Sequence, residues 1–352
     1  MAGDTVARSV SKFIYIRVGG QIRWIYPPLN KPKSLAVIFT MRVFILTILI
    51  FYSLRTLSQD SSFDKVDKYV DGLQLSTTIS LDNLVTTLTK SFDSPTLKTR
   101  AIYYWIAKNI QYDHPGYKTG YWNKYPSELS MLMDTYKFRK GICSGYSHLF
   151  KHMLNKARIE CEVVDGYCRG DLQSVIAQPH AWNVVKLNNS WYLFDTTWAF
   201  DSVKKQVDSF WFKTSPDSFI LSHYPEDTKW TLLDKTISLA DFKSIPVYTR
   251  SFVGMSIVDE YNTKGHYEAV DNVVSIELKA KKDYVWITKL YDLDKGEWFS
   301  PKNVEVRAFE KGYIKLTIDR KGTFILQLDA AENNDRGFTI YQDLVYYTID
   351  NK

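Results

Sequence analysis

Cysteine is scarce in this chain, three among 352 residues, which excludes a fold stapled together by disulfides. Cys161 and Cys168 sit at opposite ends of one expected strand, roughly 23 Å apart at ~3.3 Å per residue, so they cannot pair with each other without a sharp turn between them. One-signed charge is also missing from most of the chain. The formal net charge is +6, but residues 1–58 hold eight Lys and Arg (Arg8, Lys12, Arg17, Arg23, Lys31, Lys33, Arg42, Arg55) against the single acid Asp4. Removing them from totals of 45 basic and 39 acidic residues leaves 37 against 38. No one-sided basic surface exists to bind phosphates, so no nucleic-acid partner is expected. Metal-ligand clusters are missing too. His148 and His152, four apart on a helix, have no evident third ligand, and neither a metal nor a cofactor is expected.

Long apolar runs are few. Val43–Leu54 is an uncharged stretch of twelve after Met41-Arg42, the length of a signal-peptide core. Thr56 and Ser58 are small residues suited to a cut before polar Gln59-Asp60-Ser61-Ser62. The expectation is that Met41 is the true start, residues 1–40 are an untranslated upstream extension and 41–58 are a signal peptide, giving a secreted or periplasmic protein. The alternative is an uncleaved membrane anchor from Leu35 to Leu54, which reaches the ~20 residues that span a bilayer only by burying Arg42. An anchor oriented by its basic N-terminal flank would also leave the remainder outside the cytoplasm.

A composition of 45% hydrophobic and 24% charged residues is globular, and the length allows two or three domains. Its chemistry centres on Gly141-Ile142-Cys143-Ser144-Gly145-Tyr146. Tyr146, Leu149, Phe150, Met153, Leu154 and Ala157 recur at three- and four-residue spacing, so Cys143 opens a helix with one buried face. The unpaired N–H groups of a first helical turn favour thiolate over thiol, lowering the free value of ~8.5. Cys143 is therefore either a nucleophile or a buried free thiol acting as a small hydrophobe.

Upstream, Ser80 caps a helix carrying Leu81, Leu84, Val85 and Leu88, and Ser94-Pro95 opens a second over Thr96–Ile110. Gly116–Pro126 reads as a loop whose aromatic residues line a groove or pack the loop down. Downstream the pattern turns to strand over 162–167, 181–187 and 190–194. Asn188-Asn189 is a two-residue hairpin turn. If Leu187 faces Ser190, each residue i faces 377 − i, and His180 and Asp195 become same-face diagonal neighbours roughly 7–8 Å apart. That is the pair a cysteine nucleophile needs: an imidazole to take and return its proton, and a carboxylate to orient the ring. A one-residue slip of the turn removes it.

Three blocks resemble the signatures of the transglutaminase-like superfamily: Gly141–Tyr146, Pro179-His180-Ala181-Trp182-Asn183 and Trp191–Trp198. Trp105–Asp113 is similar to the preceding helix, although Thr196 stands where proline is common. His223-Tyr224-Pro225-Glu226-Asp227, Lys229-Trp230 and Leu232-Leu233-Asp234 resemble the branch similar to kyphoscoliosis peptidase. The resemblance covers about residues 85–245. It implies an α+β, papain-like core with Cys143 as nucleophile, His180 as base and acid, and Asp195 as its orienter. The backbone N–H of Cys143 would be one oxyanion donor, with Tyr112 and Trp122 as candidates for the second.

From about Ile245 short alternating segments (273–279, 284–291, 304–309, 313–318, 323–328 and 344–349) suggest an antiparallel, Ig-like β-sandwich. The expected organisation is a linker over 59–84, a catalytic domain over 85–244 and a sandwich over 245–352. The leading function is an exported cysteine enzyme acting on amide bonds of proteins or peptides through a thioester, a peptidase, amidase or transglutaminase. The alternative is a non-catalytic adhesion or scaffold protein that keeps the fold.

Overall fold

A computed structural model describes residues 62–352, except positions 173, 236, 259 and 335–336, together with the backbone of three short strands, Arg8–Val10, Phe13–Val18 and Gln21–Ile25. The expected signal peptide or anchor lies outside the described residues. Among the described residues, no helix is long and apolar enough to cross a membrane.

Residues 65–352 form one compact unit. The expected linker 59–84 is helical over residues 62–71, with Val66 and Val70 buried and two acids paired to another helix. Asp67 forms a two-pronged hydrogen bond with the buried guanidinium of Arg100 (2.8 and 2.6 Å), and Asp71 pairs with Lys108. The next two helices follow the expected pattern. Leu81–Thr89 begins at Ser80, whose hydroxyl accepts from the Asn83 N–H, and Pro95–Asn109 carries its proline in the first turn. A helix over Glu128–Phe138, absent from the sequence reading, starts at a Ser127–Ser130 capping box.

The Cys143–Lys156 helix buries Tyr146, Leu149, Phe150, Met153 and Leu154, each side chain contributing about 1.5–3 kcal/mol by leaving water. It packs on a five-stranded antiparallel sheet ordered 212–214, 190–194, 178–187, 161–168, 223–225. Asn188 and Asn189 take φ of 49° and 65°, the left-handed conformation of a two-residue hairpin turn. The register is the expected one, from Leu187 opposite Ser190 to Asn183 opposite Phe194. At the far edge, His223–Pro225 pairs with Gly166–Cys168. A Cβ on Gly166 would lie 2.2 Å from the Tyr224 carbonyl oxygen, so glycine is what lets this edge strand close in.

The C-terminal part holds a long hairpin, Gly322–Asn334 with Gly337–Asn351, flanked by Val285–Asp292, Glu297–Phe299, Val247–Tyr248 and His266–Glu268, and a three-stranded sheet of 273–277, 313–317 and 302–307. All pairings are antiparallel except His266–Glu268 beside the last strand, which is parallel. One apolar cluster, including Phe252, Ile276, Leu290, Leu316, Phe324, Leu326 and Leu344, fills this part and takes in Leu221 from the core. Arg169 reinforces that junction by donating to the carbonyls of Phe242 (2.8 Å) and Ile245 (3.0 Å).

Candidate active site

Cys143 is the first residue of its helix, and the preceding Ile142 supplies no side-chain cap, so the first-turn N–H groups keep their partial positive charge for the sulfur. The glycines that flank Cys143 have a packing role: a Cβ on Gly141 or Gly145 would come within 2.8 or 2.4 Å of Thr135. Both positions admit the Glu128–Phe138 helix against the start of the Cys143 helix. A second tie comes from the sheet, where Asn183 donates to the Ser147 carbonyl (3.0 Å) and Ser147 to the Cys143 carbonyl (2.9 Å).

His180 lies on the strand beneath that helix end, and its Nε2 is 2.9 Å from Asp195 Oδ2. Asp195 follows the neighbouring strand and is fully buried. Its Oδ1 accepts from the N–H groups of Thr197 (2.7 Å) and Trp198 (3.2 Å), while Oδ2 accepts from His180 and from His223 Nε2 at 3.1 Å. Burial opposes its charge, and the two imidazoles, His180 before His223, outweigh it and hold its pKa well below the carboxylate range. Burial likewise opposes charge on His180, but the Asp195 carboxylate outweighs it and the ring's pKa is raised. For Cys143, burial pushes upward and is overcome by the hydrogen bond and charge of His180, helped by the Ala181 N–H. The thiol's pKa falls below its usual value. The other two thiols go the other way through burial, Cys168 to about 11 and Cys161 higher still.

The structure thus brings Cys143, His180 and Asp195 together. Tyr112 also reaches this site. Its strand pairs in parallel with the residues just before Cys143, Tyr112 opposite Gly141, and burial followed by the nearby sulfur raises the phenol's pKa. Trp122 does not reach it: its buried indole N–H donates to Asp113 Oδ2 at 3.0 Å, so it holds the Gly116–Pro126 segment down and is corrected as an oxyanion candidate. His148 faces Glu128 at 3.3 Å.

His223 was missed. It appeared only within a resemblance block, and the available signal was a histidine inside an apolar strand. The potential ligand atoms of His180, Asp195 and His223 lie within 4.8 Å of one another. Two hydrogen bonds onto one oxygen account for that spacing, and a metal ion there would have to displace both.

A thiol at a helix start, facing an antiparallel sheet that carries an imidazole and a carboxylate, defines a transglutaminase-like core. Residues 82–196 match the model of the transglutaminase-like superfamily, and over most of its length the chain resembles kyphoscoliosis peptidases. It is 26% identical over 312 residues to kyphoscoliosis peptidase of Homo sapiens, covering 84% of this chain and 44% of that protein. It is 24% identical to Lim and transglutaminase domain protein ltd-1 of Caenorhabditis elegans, covering 77% and 41%. Hillarin of Drosophila melanogaster is 27% identical over 141 residues, covering 33% and 17%. The chain spans less than half the length of these curated relatives.

Proposed function

We propose that the protein is an exported cysteine enzyme acting on amide bonds of proteins or peptides through a thioester on Cys143. His180 takes the thiol proton as the sulfur attacks the amide carbonyl. The C–N bond then breaks, with the proton returned to the leaving amine, and water or a second amine releases the acyl group. Asp195 orients the ring and stabilises its charged form. The observation that carries this reading is a thiol at the start of a helix beside an imidazole that is held 2.9 Å from a fully buried carboxylate, the charge of the ring lowering the thiol's pKa. The Cys143 N–H supplies one oxyanion donor, and the Tyr112 phenol, which keeps its proton, supplies the second.

Incubation with mixed peptides and an amine donor, read by mass spectrometry, separates cleavage, deamidation and crosslinking. Labelling of Cys143 by a thiol-directed probe is expected to drop in His180→Ala. Equal labelling in both overturns the assignment and favours a non-catalytic adhesion or scaffold protein. Export is supported by the uncharged run Val43–Leu54 and the small residues Thr56 and Ser58. Sequencing of the mature protein is expected to begin near Gln59, just ahead of the helix over 62–71; an N-terminus upstream of residue 41 overturns it.

A further inference from the structure

His223 is fully buried, and its polar atoms have two partners. Nε2 lies 3.1 Å from Asp195 Oδ2, the oxygen that also accepts from His180, and Nδ1 lies 2.7 Å from Ser222 Oγ. An ionised carboxylate only accepts, so Nε2 carries the hydrogen, and Nδ1 of the neutral ring then accepts from the Ser222 hydroxyl at 2.7 Å in preference to the Phe219 carbonyl that hydroxyl reaches at 3.3 Å. An aromatic collar fixes the ring. Phe219 stacks on it at 4.1 Å between centroids, and Trp198, Trp182 and Trp211 stand at 4.7, 5.2 and 5.3 Å.

We propose that His223 is a positioning residue of this site: its neutral Nε2–H shares Asp195 Oδ2 with His180 and keeps the His180 proton transferable. The inference rests on the catalytic reading above. A hydrogen bond to a charged group contributes about 1.5–3 kcal/mol, and a fixed neutral donor takes up part of the oxygen's capacity to hold an imidazolium. The partial positive charge of the same N–H also lies close to His180, because both rings bond one carboxylate oxygen and their centroids are 5.3 Å apart. Both effects loosen the His180 proton, and an acid that holds its proton too tightly protonates a leaving amine slowly. The other titratable groups here do not duplicate this role. Cys143 and Cys168 face His180 from the helix and the adjacent strand. Tyr103 and Tyr146 lie near Asp195, but their hydroxyls donate to the carbonyls of Asp208 and Ile110.

The test follows two titrations in the full chain: the rate of Cys143 alkylation by iodoacetamide against pH, and the imidazole C–H NMR shift of His180, assigned with His180→Ala. In His223→Phe, which keeps the stack on Phe219 and loses the donor, the His180 titration is expected to move upward by about half a unit or more. His223→Gln, which retains a donor at similar reach, is expected to restore it. Ser222→Ala, which releases the ring's tautomer without emptying the site, should shift it in the same direction by less, and it decides the matter if the Phe variant does not fold. A His180 titration unchanged in the folded His223→Phe or Ser222→Ala protein overturns the role of His223. If the wild-type alkylation profile is that of an ordinary thiol, the nucleophile assignment itself fails, a result distinct from the first.

Discussion

In the C-terminal sheets, buried polar side chains close turns and strand ends. Asp292 accepts from the N–H groups of Asp294 and Lys295, Asp329 from the Asp343 N–H and the Gln327 amide, and Asn351 donates to the carbonyls of Ile318 and Arg320. Each serves the strands around it. In the core, Asp195 also accepts two backbone N–H groups, but its other oxygen is shared by two imidazoles, one of them against a thiol. The chemistries are alike and the consequences differ. Asp329 pairs besides with the half-exposed Lys289 at 3.3 Å, yet no thiol is among its partners: a buried carboxylate held by backbone amides and a surface lysine holds a fold, whereas one shared by two buried imidazoles stores charge that a neighbouring sulfur can use.

The largest test of this contrast is catalytic. Cys143→Ala should abolish amide turnover, at least about a thousandfold, with the melting temperature little changed; retained turnover would remove the core's special status. Next, Asp195→Ala should lower stability by about 3–5 kcal/mol, because it leaves buried donors unpaired, and return Cys143 alkylation to that of an ordinary thiol. Asp329→Ala, equally buried, should lower stability by about 1–3 kcal/mol and leave Cys143 alkylation untouched. If both variants alter the thiol, the two regions are not separable.

Acid titration sharpens the comparison further. Burial pushes His223 down to about 4, so between its ordinary ~6.5 and that value the unfolded chain binds a proton that the folded chain does not. Stability therefore falls as pH drops through this window, by on the order of 3 kcal/mol. Urea denaturation at pH 7, 5 and 4 should show the slope in wild type and lose it in His223→Gln. Asp195, with its lowered pKa, contributes stability in full above about pH 4 and loses it only further into acid. The smallest effect is at the hairpin, where Asn189→Val puts a branched side chain at φ 65° and should lower stability by about 1–2 kcal/mol, measured by thermal melting.

Much of the site was legible because its spacing is local. Two asparagines fix a tight turn, the turn fixes the register, and the register places His180 beside Asp195 on one face. The Cys143 helix was equally plain from its apolar period. His223 was not, because it lies 28 residues beyond Asp195 on an edge strand whose partner, 161–168, is chosen by tertiary packing. The helix over residues 62–71 was hidden for a similar reason, since the partners of Asp67 and Asp71 lie on another helix. Trp122 misled because a tryptophan near a site in sequence can point its N–H anywhere, and here Asp113 takes it.

The sequence by itself determined which thiol opens a helix and which imidazole and carboxylate share a hairpin face, since turn chemistry and side-chain periodicity act over a few residues. Only the tertiary structure decided that a second histidine joins that carboxylate and that Tyr112, not Trp122, stands by the sulfur. Those depend on which distant segments pack together, and the packing allows Tyr224 against Gly166 and Thr135 against Gly141 and Gly145, where no side chain intervenes.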